Sequence, residues 1–371
     1  MRYFRCEELT LTVEVQQNTL YLTTPGTYVA RDHLTLRVEV PAVDAGTGAA
    51  ANGHKLSIPI HHLESICLFG PSTISPPALD LCWEHSVAVS YLSEYGHFQA
   101  RLTGVADTSV LLRRSQFRIA DQPERCVALA RNIIAGKLQN SRTSLLRGAR
   151  ETDNSDEQVQ LQGVAHALGA QIQRLAPAAA AVHGADLDSL RGSEGLAAQQ
   201  YFSVFSLLLK QQRAAFAFLT RSRRPPRDRI NCLLSFLYAL IRHDCVAALT
   251  SIGLDPFVGF LHADRPNRPA LALDLMEEFR PWLADRLALT LINRQQLGPS
   301  HFLEREGGAV ELTDSGRKLI IRAYQERKQD SFTHPLLGQS FRLAQAPFVQ
   351  ARILARHLRG DLPDYLPLVL K

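Results

Sequence analysis

The chain changes its hydrophobic period once, near Arg118, and this constrains the fold more than any other feature. Ahead of that point Leu9, Leu11, Val13 and Val15 alternate with Thr10, Thr12 and Glu14. Leu34, Leu36, Val38 and Val40 alternate with Thr35, Arg37 and Glu39. Period two is the pattern of a half-buried antiparallel strand. Beyond it, Cys126, Ala130, Ile133, Ile134 and Leu138 recur at helical spacing. A single switch of period predicts segregated α+β rather than alternating α/β. The expected architecture is an N-terminal antiparallel β domain, residues 1–117, followed by a larger all-α domain, residues 118–371.

Within the first part, Gln16-Gln17-Asn18 reads as a hairpin turn before Leu20-Tyr21-Leu22. Further strands are expected at Leu56–Ile58, Ile66–Leu68, Val87–Val89 and Phe98–Leu102. Pro59 marks a strand end, Pro77–Glu84 reads as one short helix, and Ala42–Gly53 reads as a surface loop. Asp121 and Glu124 resemble a helix-start cap, with Pro123 in the first turn. Gly148–Glu157 and Pro177–Asp188 read as linkers. Long helices are expected over Glu194–Thr220, Asp228–Thr250 and Pro269–Gln296, with another after an N-capping Thr313.

Composition narrows the class. The 371 residues are 46% hydrophobic and 21% charged, which excludes disordered, collagen-like and disulfide-stapled chains. Met1–Cys6 is polar and lacks the apolar run of a signal peptide, so none is expected. The longest apolar stretch, Cys232–Ile241, is too short for a membrane span and reads as a buried helix. Six cysteines (Cys6, Cys67, Cys82, Cys126, Cys232, Cys245) form no CxxC pair, so a reducing cytoplasm is expected. No GxGxxG or GxxxxGK[ST] loop is present. Charge is uneven: Gly316–Lys371 holds ten Lys/Arg against four Asp/Glu, while the rest of the chain sums to −1. Such a basic stretch suits either a polyanion partner or a solvated helical face.

Two segments carry candidate chemistry. Asp274 and Glu277 lie three apart on the expected Pro269 helix, and His262 precedes it by one loop. Two like charges side by side favour a cation between them, and a mixed N/O set suits Mn²⁺ or Mg²⁺. On spacing alone an exposed acidic helix face, with His262 hydrogen-bonded locally, is the commoner explanation, since D-x-x-E is frequent on helices. Glu194 opens a face that continues through Ala198, Tyr201 and Phe205. It reads either as a ligand or as a carboxylate at a helix start. His61-His62 and His243-Asp244-Cys245 read as structural, since neither has partners at the right spacing or direction. Trp83 and Trp282 read as packing anchors.

Together the two segments resemble a known family, the CRISPR-associated endonuclease one, the integrase of spacer acquisition. The matching stretches are RGSEGLAAQQYF around Glu194, NCLLSFLYALI from Asn231, GLDPFVGFLH from Gly253 to His262, and LALDLMEEFRP from Leu271. QARILARHLRGDL from Gln350 looks like the I-C form of the family. Ser193 and Leu196 depart from the family pattern without touching the implied ligands.

The resemblance implies a metal-dependent DNA endonuclease and strand-transfer integrase. Glu194, His262 and Glu277 would hold one Mg²⁺ or Mn²⁺, with Asp274 beside them as a supporting catalytic residue. A 3′-hydroxyl of a short duplex would attack a phosphodiester at the CRISPR repeat boundary. Candidate DNA contacts are Arg280, Arg317, Lys318, Arg322, Arg327, Lys328, Arg352 and Arg356, with a second basic cluster at Arg221, Arg223, Arg224, Arg227 and Arg229. Implied partners are double-stranded DNA (protospacer and repeat), a second copy of the chain joined through the β domain, and CRISPR-associated protein two. For the I-C form an iron–sulfur exonuclease is added; no membrane is involved. A structure-specific nuclease of repair and a non-catalytic DNA-binding scaffold are the competing readings.

Overall fold

The structure, a computed structural model, describes residues 13–16, 19–22, 24–41, 54–63, 65–93, 98–102, 110–175, 186–222 and 224–370. The expected strand at Leu9 and Leu11, the turn at residues 17–18, the loop 42–53 and most of the linker after Pro177 lie outside them. The chain divides into two compact units, Met1–Ala106 and Asp107–Lys371.

The first unit is strand-rich. Its strands are β1 (Val13–Gln16), β2 (Thr19–Leu22), β3 (Tyr28–Asp32), β4 (Thr35–Val40), β5 (His54–Pro59), β6 (Ser65–Phe69), β7 (Thr73–Ile74), β8 (Ala88–Leu92) and β9 (Phe98–Leu102). One sheet runs β1-β2-β6-β8-β9 and the other β5-β4-β3-β7. Period two holds on β4, where Leu36, Val38 and Val40 are buried and Arg37 faces out. The core joins them to Leu20, Leu22, Val29, Ile66 and Leu68, and helix α1 (Pro76–Glu84) adds Ala78, Leu81 and Cys82.

The antiparallel expectation needs correction. β1–β2, β3–β4, β4–β5 and β8–β9 are antiparallel, but β2–β6, β6–β8 and β3–β7 are parallel. Alternation reports which face is buried and says nothing about direction. The β6-to-β8 connection carries α1, the long crossover that a parallel pair requires. β6 is buried along Ile66–Phe69, the continuous apolar run of a strand covered on both faces.

The second unit is helical: α2 (Val110–Ala120), α3 (Pro123–Glu151), α4 (Ser155–Arg174), α5 (Leu187–Ser203), α6 (Arg229–Ile252), α7 (Ala270–Met276), α8 (Arg286–Asn293), α9 (Asp314–Lys328) and α10 (Ala346–Arg359). It is not all-α. Hairpins β10–β11 (Phe302–Glu304, Val310–Leu312) and β12–β13 (Ser331–Thr333, Ser340–Arg342) interrupt the helices. α3 packs along α4 and α5, and α6 along α7 and α10.

Side chains cap several of the helix starts. Asp228 accepts from the Asn231 N–H, Thr313 from Gly316 and Asp186 from Ser189. The Asp121–Glu124 cap is absent: Gln122 precedes α3 without a side-chain bond, and Pro123 opens the helix. α6 is long and apolar enough to cross a membrane, yet 78% of its most apolar stretch is buried inside the protein.

Two expected long helices are broken. α5 stops at Ser203 and gives way to a 3₁₀ turn, Phe205–Leu208, where Tyr201, Phe202, Phe205 and Phe218 cluster ring against ring. The helix expected over Pro269–Gln296 stops at Met276 and resumes as a π-helical turn, Arg280–Asp285. Pro281 has no N–H for the helical ladder and displaces the residues before it. The break falls where Glu277 and Arg280 sit.

Candidate metal centre

Four elements of the helical unit meet at one point. α3 contributes Lys137, α5 contributes Glu194, the loop after α6 contributes His262, and the end of α7 contributes Asp274 and Glu277. Lys137 Nζ lies 2.7 Å from Glu277 Oε2 and pairs with Glu194 Oε1. His262 Nε2 lies 3.8 Å from Glu277 Oε1, and Arg280 Nη2 is 3.0 Å from the same oxygen. Glu194 and Glu277 therefore share one cation, the ammonium of Lys137, and His262 stands beside Glu277 on the Oε1 side.

Asp274 is wholly buried and organises the loop. Its Oδ2 accepts the backbone N–H groups of Phe260 (2.6 Å) and Leu261 (3.0 Å). Its Oδ1 accepts the His262 N–H (2.9 Å) and lies 2.7 Å from His262 Nδ1. A carboxylate oxygen accepts, so the Nδ1–H is directed at Asp274 and Nε2 is the ring nitrogen turned toward Glu277. Close approach of the loop to α7 depends on Gly259, where a Cβ would sit 2.8 Å from Ala270 Cβ and 3.0 Å from Asp274 Oδ2.

Electrostatics favour a charged Glu277. Burial opposes its ionisation, but Arg280, Lys137 and His262 overcome that and hold the carboxyl well below the usual range. Burial also works against Arg280, and Glu277 and its neighbours more than restore it. The guanidinium stands 4.9 Å from the Tyr238 ring centroid. Behind it, Tyr201 and Tyr238 hydroxyls donate to Asp285, whose pKa burial pushes up to about 6.

The next residue along, Glu278, faces away into a second buried network. It accepts from Tyr365 Oη, from Gln350 Nε2 (2.8 Å) and from the Leu368 N–H (2.7 Å). Burial pushes its pKa up to about 7 against those bonds. The C-terminal segment is thereby tied beside Glu277, and Asn140 of α3 donates to the Glu278 and Leu368 carbonyls.

Among the described residues no three His, Cys, Asp or Glu side chains lie at ligand spacing. Two carboxylates nonetheless converge on one cation, and an imidazole locked in the Nδ1–H form stands beside them. Oxygen and imidazole donors of this kind suit Mg²⁺ or Mn²⁺. Glu194, Glu277 and His262 are the residues that would hold the ion, and Asp274 orients one of them.

The predicted DNA contacts fare unevenly. Arg280 is buried in the centre itself. Lys328 is buried, 2.9 Å from Asp244, and is not a surface contact. Its charge neutralises a carboxylate that also accepts from Tyr324 Oη. Arg317 pairs with Asp314 and Arg327 with Asp330, Lys318 is half-buried, and Arg322, Arg352 and Arg356 are exposed. In the second cluster, Arg221 turns inward to Asn231, Arg229 reaches Glu304, and Arg223 lies outside the described residues. His243-Asp244-Cys245 is no nucleophile pair: burial pushes the Cys245 thiol far up. His61 and His62 are exposed and stack on each other.

Sequence reasoning missed Lys137, although a signal existed: a lysine on the apolar face formed by Ile133, Ile134, Leu138 and Ser141 has to find a partner. It also missed a groove of about 1510 Å³ beside α3, lined by Arg147, Lys210, Arg213, Arg286, Arg327 and Trp282. Burial, then Arg147 and Arg327 beside it, push the Arg286 pKa down.

Comparison with known proteins gives the chain a family and a shared fold. The family described as "CRISPR associated protein Cas1" matches residues 20–326. The CRISPR-associated endonuclease Cas1 1 of Moorella thermoacetica is 45% identical over 95% of this chain and 98% of its own. A CRISPR-associated exonuclease Cas4/endonuclease Cas1 fusion of Geobacter sulfurreducens is 35% identical over 93% of this chain and 59% of the fusion. Among solved structures, a casposase bound to integration product superposes with TM-score 0.78 at 21% identity, covering 94% of this chain and 92% of the other. A Cas6-RT-Cas1–Cas2 complex gives 0.76 at 24% identity, covering 98% of this chain and 38% of the other. A matched span of this length, with a relative 45% identical end to end, makes the chain a member of the Cas1 family of CRISPR-associated endonucleases.

Proposed function

We propose that this chain joins short duplex DNA into a CRISPR repeat array by metal-dependent strand transfer, and cleaves DNA at the same centre. One observation carries the reading: Glu194 and Glu277 converge on a single cation position with the Nε2 of an oriented His262 beside it. The 3′-oxygen of the incoming strand forms a bond to a repeat phosphorus, and the existing P–O3′ bond breaks to leave a new 3′-hydroxyl. Bound there, Mg²⁺ or Mn²⁺ would favour the deprotonated attacking oxygen and offset charge gathering at phosphorus. The chain supplies the holding groups Glu194, Glu277 and His262, while Asp274 keeps the imidazole in the required tautomer. Arg280, fixed between Glu277 and Tyr238, adds a permanent positive charge.

DNA binding rests on backbone charge rather than base reading. The groove beside α3 is lined by seven Arg and Lys side chains against Glu151, Asp153 and Asp330, and that excess of positive charge favours an anionic polymer even with Arg147 paired to Glu151 and Arg327 to Asp330. Exposed Arg352 and Arg356 extend that role to α10, the helix within the I-C-like stretch. Two partners follow the names of similar proteins, a Cas2-type protein as in the Cas1–Cas2 complex and a Cas4-type exonuclease as in the fusion; a second copy through the strand unit and an iron–sulfur cluster in the exonuclease follow from the family resemblance alone. The setting is the cytoplasm of a prokaryote.

The test is strand transfer of a short duplex into supercoiled repeat DNA. Glu194→Gln, Glu277→Gln and His262→Ala should each lower the rate by at least about 10³-fold, the scale of a lost metal contribution. A scaffold role predicts unchanged function in all three. A repair nuclease predicts cleavage of branched DNA with no insertion into the repeat.

A further inference from the structure

We infer that Lys137 is a built-in competitor for the divalent ion, so that metal and DNA load the centre together rather than in turn. This rests on the metal reading above and goes beyond it. Its basis is charge balance. Two carboxylates, Glu194 and Glu277, face two cations, Lys137 and Arg280, with Lys137 touching both acids and Arg280 touching Glu277. The cluster is already neutralised. A divalent ion therefore gains less from these carboxylates than it would from an unpartnered pair.

The two cations differ in how freely they can leave. The Arg280 guanidinium is planar, stacked on Tyr238 and buried at the π-helical turn. Lys137 is a point charge on a flexible four-carbon stem, with no other side-chain partner among the described residues. It is the cation that can be exchanged. A phosphodiester entering the centre brings negative charge, takes up the released ammonium, and leaves Glu194 and Glu277 to the ion. Linkage then runs both ways: DNA tightens metal binding, and metal tightens DNA binding by the same factor. The chain alone keeps a weakly loaded centre, and nuclease action is confined to DNA already seated.

The experiment titrates Mn²⁺ against the full-length protein and follows free Mn²⁺ by electron paramagnetic resonance. It is run with and without a short duplex whose 3′ ends are blocked. Without DNA, Lys137→Gln should bind Mn²⁺ about 10-fold or more tighter than the parent. Lys137→Arg, which keeps the charge, should stay near the parent. The duplex should tighten the parent and barely move Lys137→Gln. The apo Lys137→Gln protein should melt lower and recover with Mn²⁺. Equal or weaker Mn²⁺ binding by Lys137→Gln, or equal enhancement by DNA in both proteins, would overturn the inference. Adding Glu194→Gln to Lys137→Gln separates the two claims: unchanged Mn²⁺ binding there defeats the metal assignment itself.

Discussion

The two units bury different things. The strand unit's core is Leu20, Leu22, Val29, Leu36, Val38, Ile66, Leu68 and their neighbours, and its buried polar side chains among the described residues are Thr24, Thr27 and Ser90. The helical unit buries Lys137, Glu157, Asp274, Glu277, Glu278, Asp285 and Lys328. Each buried charge costs free energy unless paired. A fold needing only stability has a cheaper solution, and the strand unit follows it except at Arg101, where burial pushes the guanidinium pKa down to about 10. Burial alone does not identify a site, however. Glu157 is buried and forked by Arg213 at 2.5 and 3.0 Å, a pairing complete in itself. The centre differs because its carboxylates share one exchangeable cation.

The largest test of the contrast is Leu36→Ala in the strand unit. Leu36 is wholly buried, so the cavity should cost about 2–5 kcal/mol. Mn²⁺ affinity of the folded protein should not change. A loss of metal binding in step with stability would erase the distinction between a packing unit and a chemical unit.

A smaller test uses pH. Burial raises Glu278 to about 7 and Asp285 to about 6, so both hold a proton more tightly folded than unfolded. Their contribution is greatest below the unfolded carboxyl range and is lost as pH rises through those two values. The helical unit should lose on the order of 1–3 kcal/mol between about pH 5 and about pH 8. Glu277 is shifted the other way, so its share is complete above the ordinary carboxyl range and is lost as pH falls from there toward about 2. The two tryptophans separate the units: Trp83 reports the strand unit and buried Trp282 the helical unit. Equal pH slopes at both would remove the assigned cause.

How much of this was legible follows the same division. Alternation located the buried positions of β4, because period two maps one face onto one core. Strand direction stayed hidden, since Ile66–Leu68 reads alike in parallel and antiparallel pairs. The helix over Pro269–Gln296 was read as continuous because its apolar residues keep period across Pro281, yet the missing N–H shifts the turn bearing Arg280. Of the centre, Glu194, His262, Asp274 and Glu277 were legible through the family resemblance and only weakly through spacing. Lys137 was not, because its partners lie 57 residues or more along the chain, and no local period encodes that meeting.

The last prediction asks whether Asp274 belongs with the packing or with the chemistry. Asn matches it in size but presents one acceptor and one donor. Asp274 meets only donors: three backbone N–H groups and the His262 Nδ1–H. One side of the Asn amide must therefore face a donor with a donor. If the amide oxygen turns toward Phe260 and Leu261, the amide NH₂ confronts His262 and favours the other tautomer, which carries its proton on Nε2. If it turns toward His262, the loop N–H groups are left unmade, at about 1–3 kcal/mol. A packing role predicts a lower melting temperature and unchanged Mn²⁺ affinity among molecules that remain folded. A role in orienting the imidazole predicts that affinity falls by about 10–100-fold. Nitrogen chemical shifts of His262 distinguish the two, since only the second moves the ring proton from Nδ1 to Nε2. A wild-type tautomer with full affinity would place Asp274 alongside Leu36, as a residue that shapes the loop and takes no part in holding the ion.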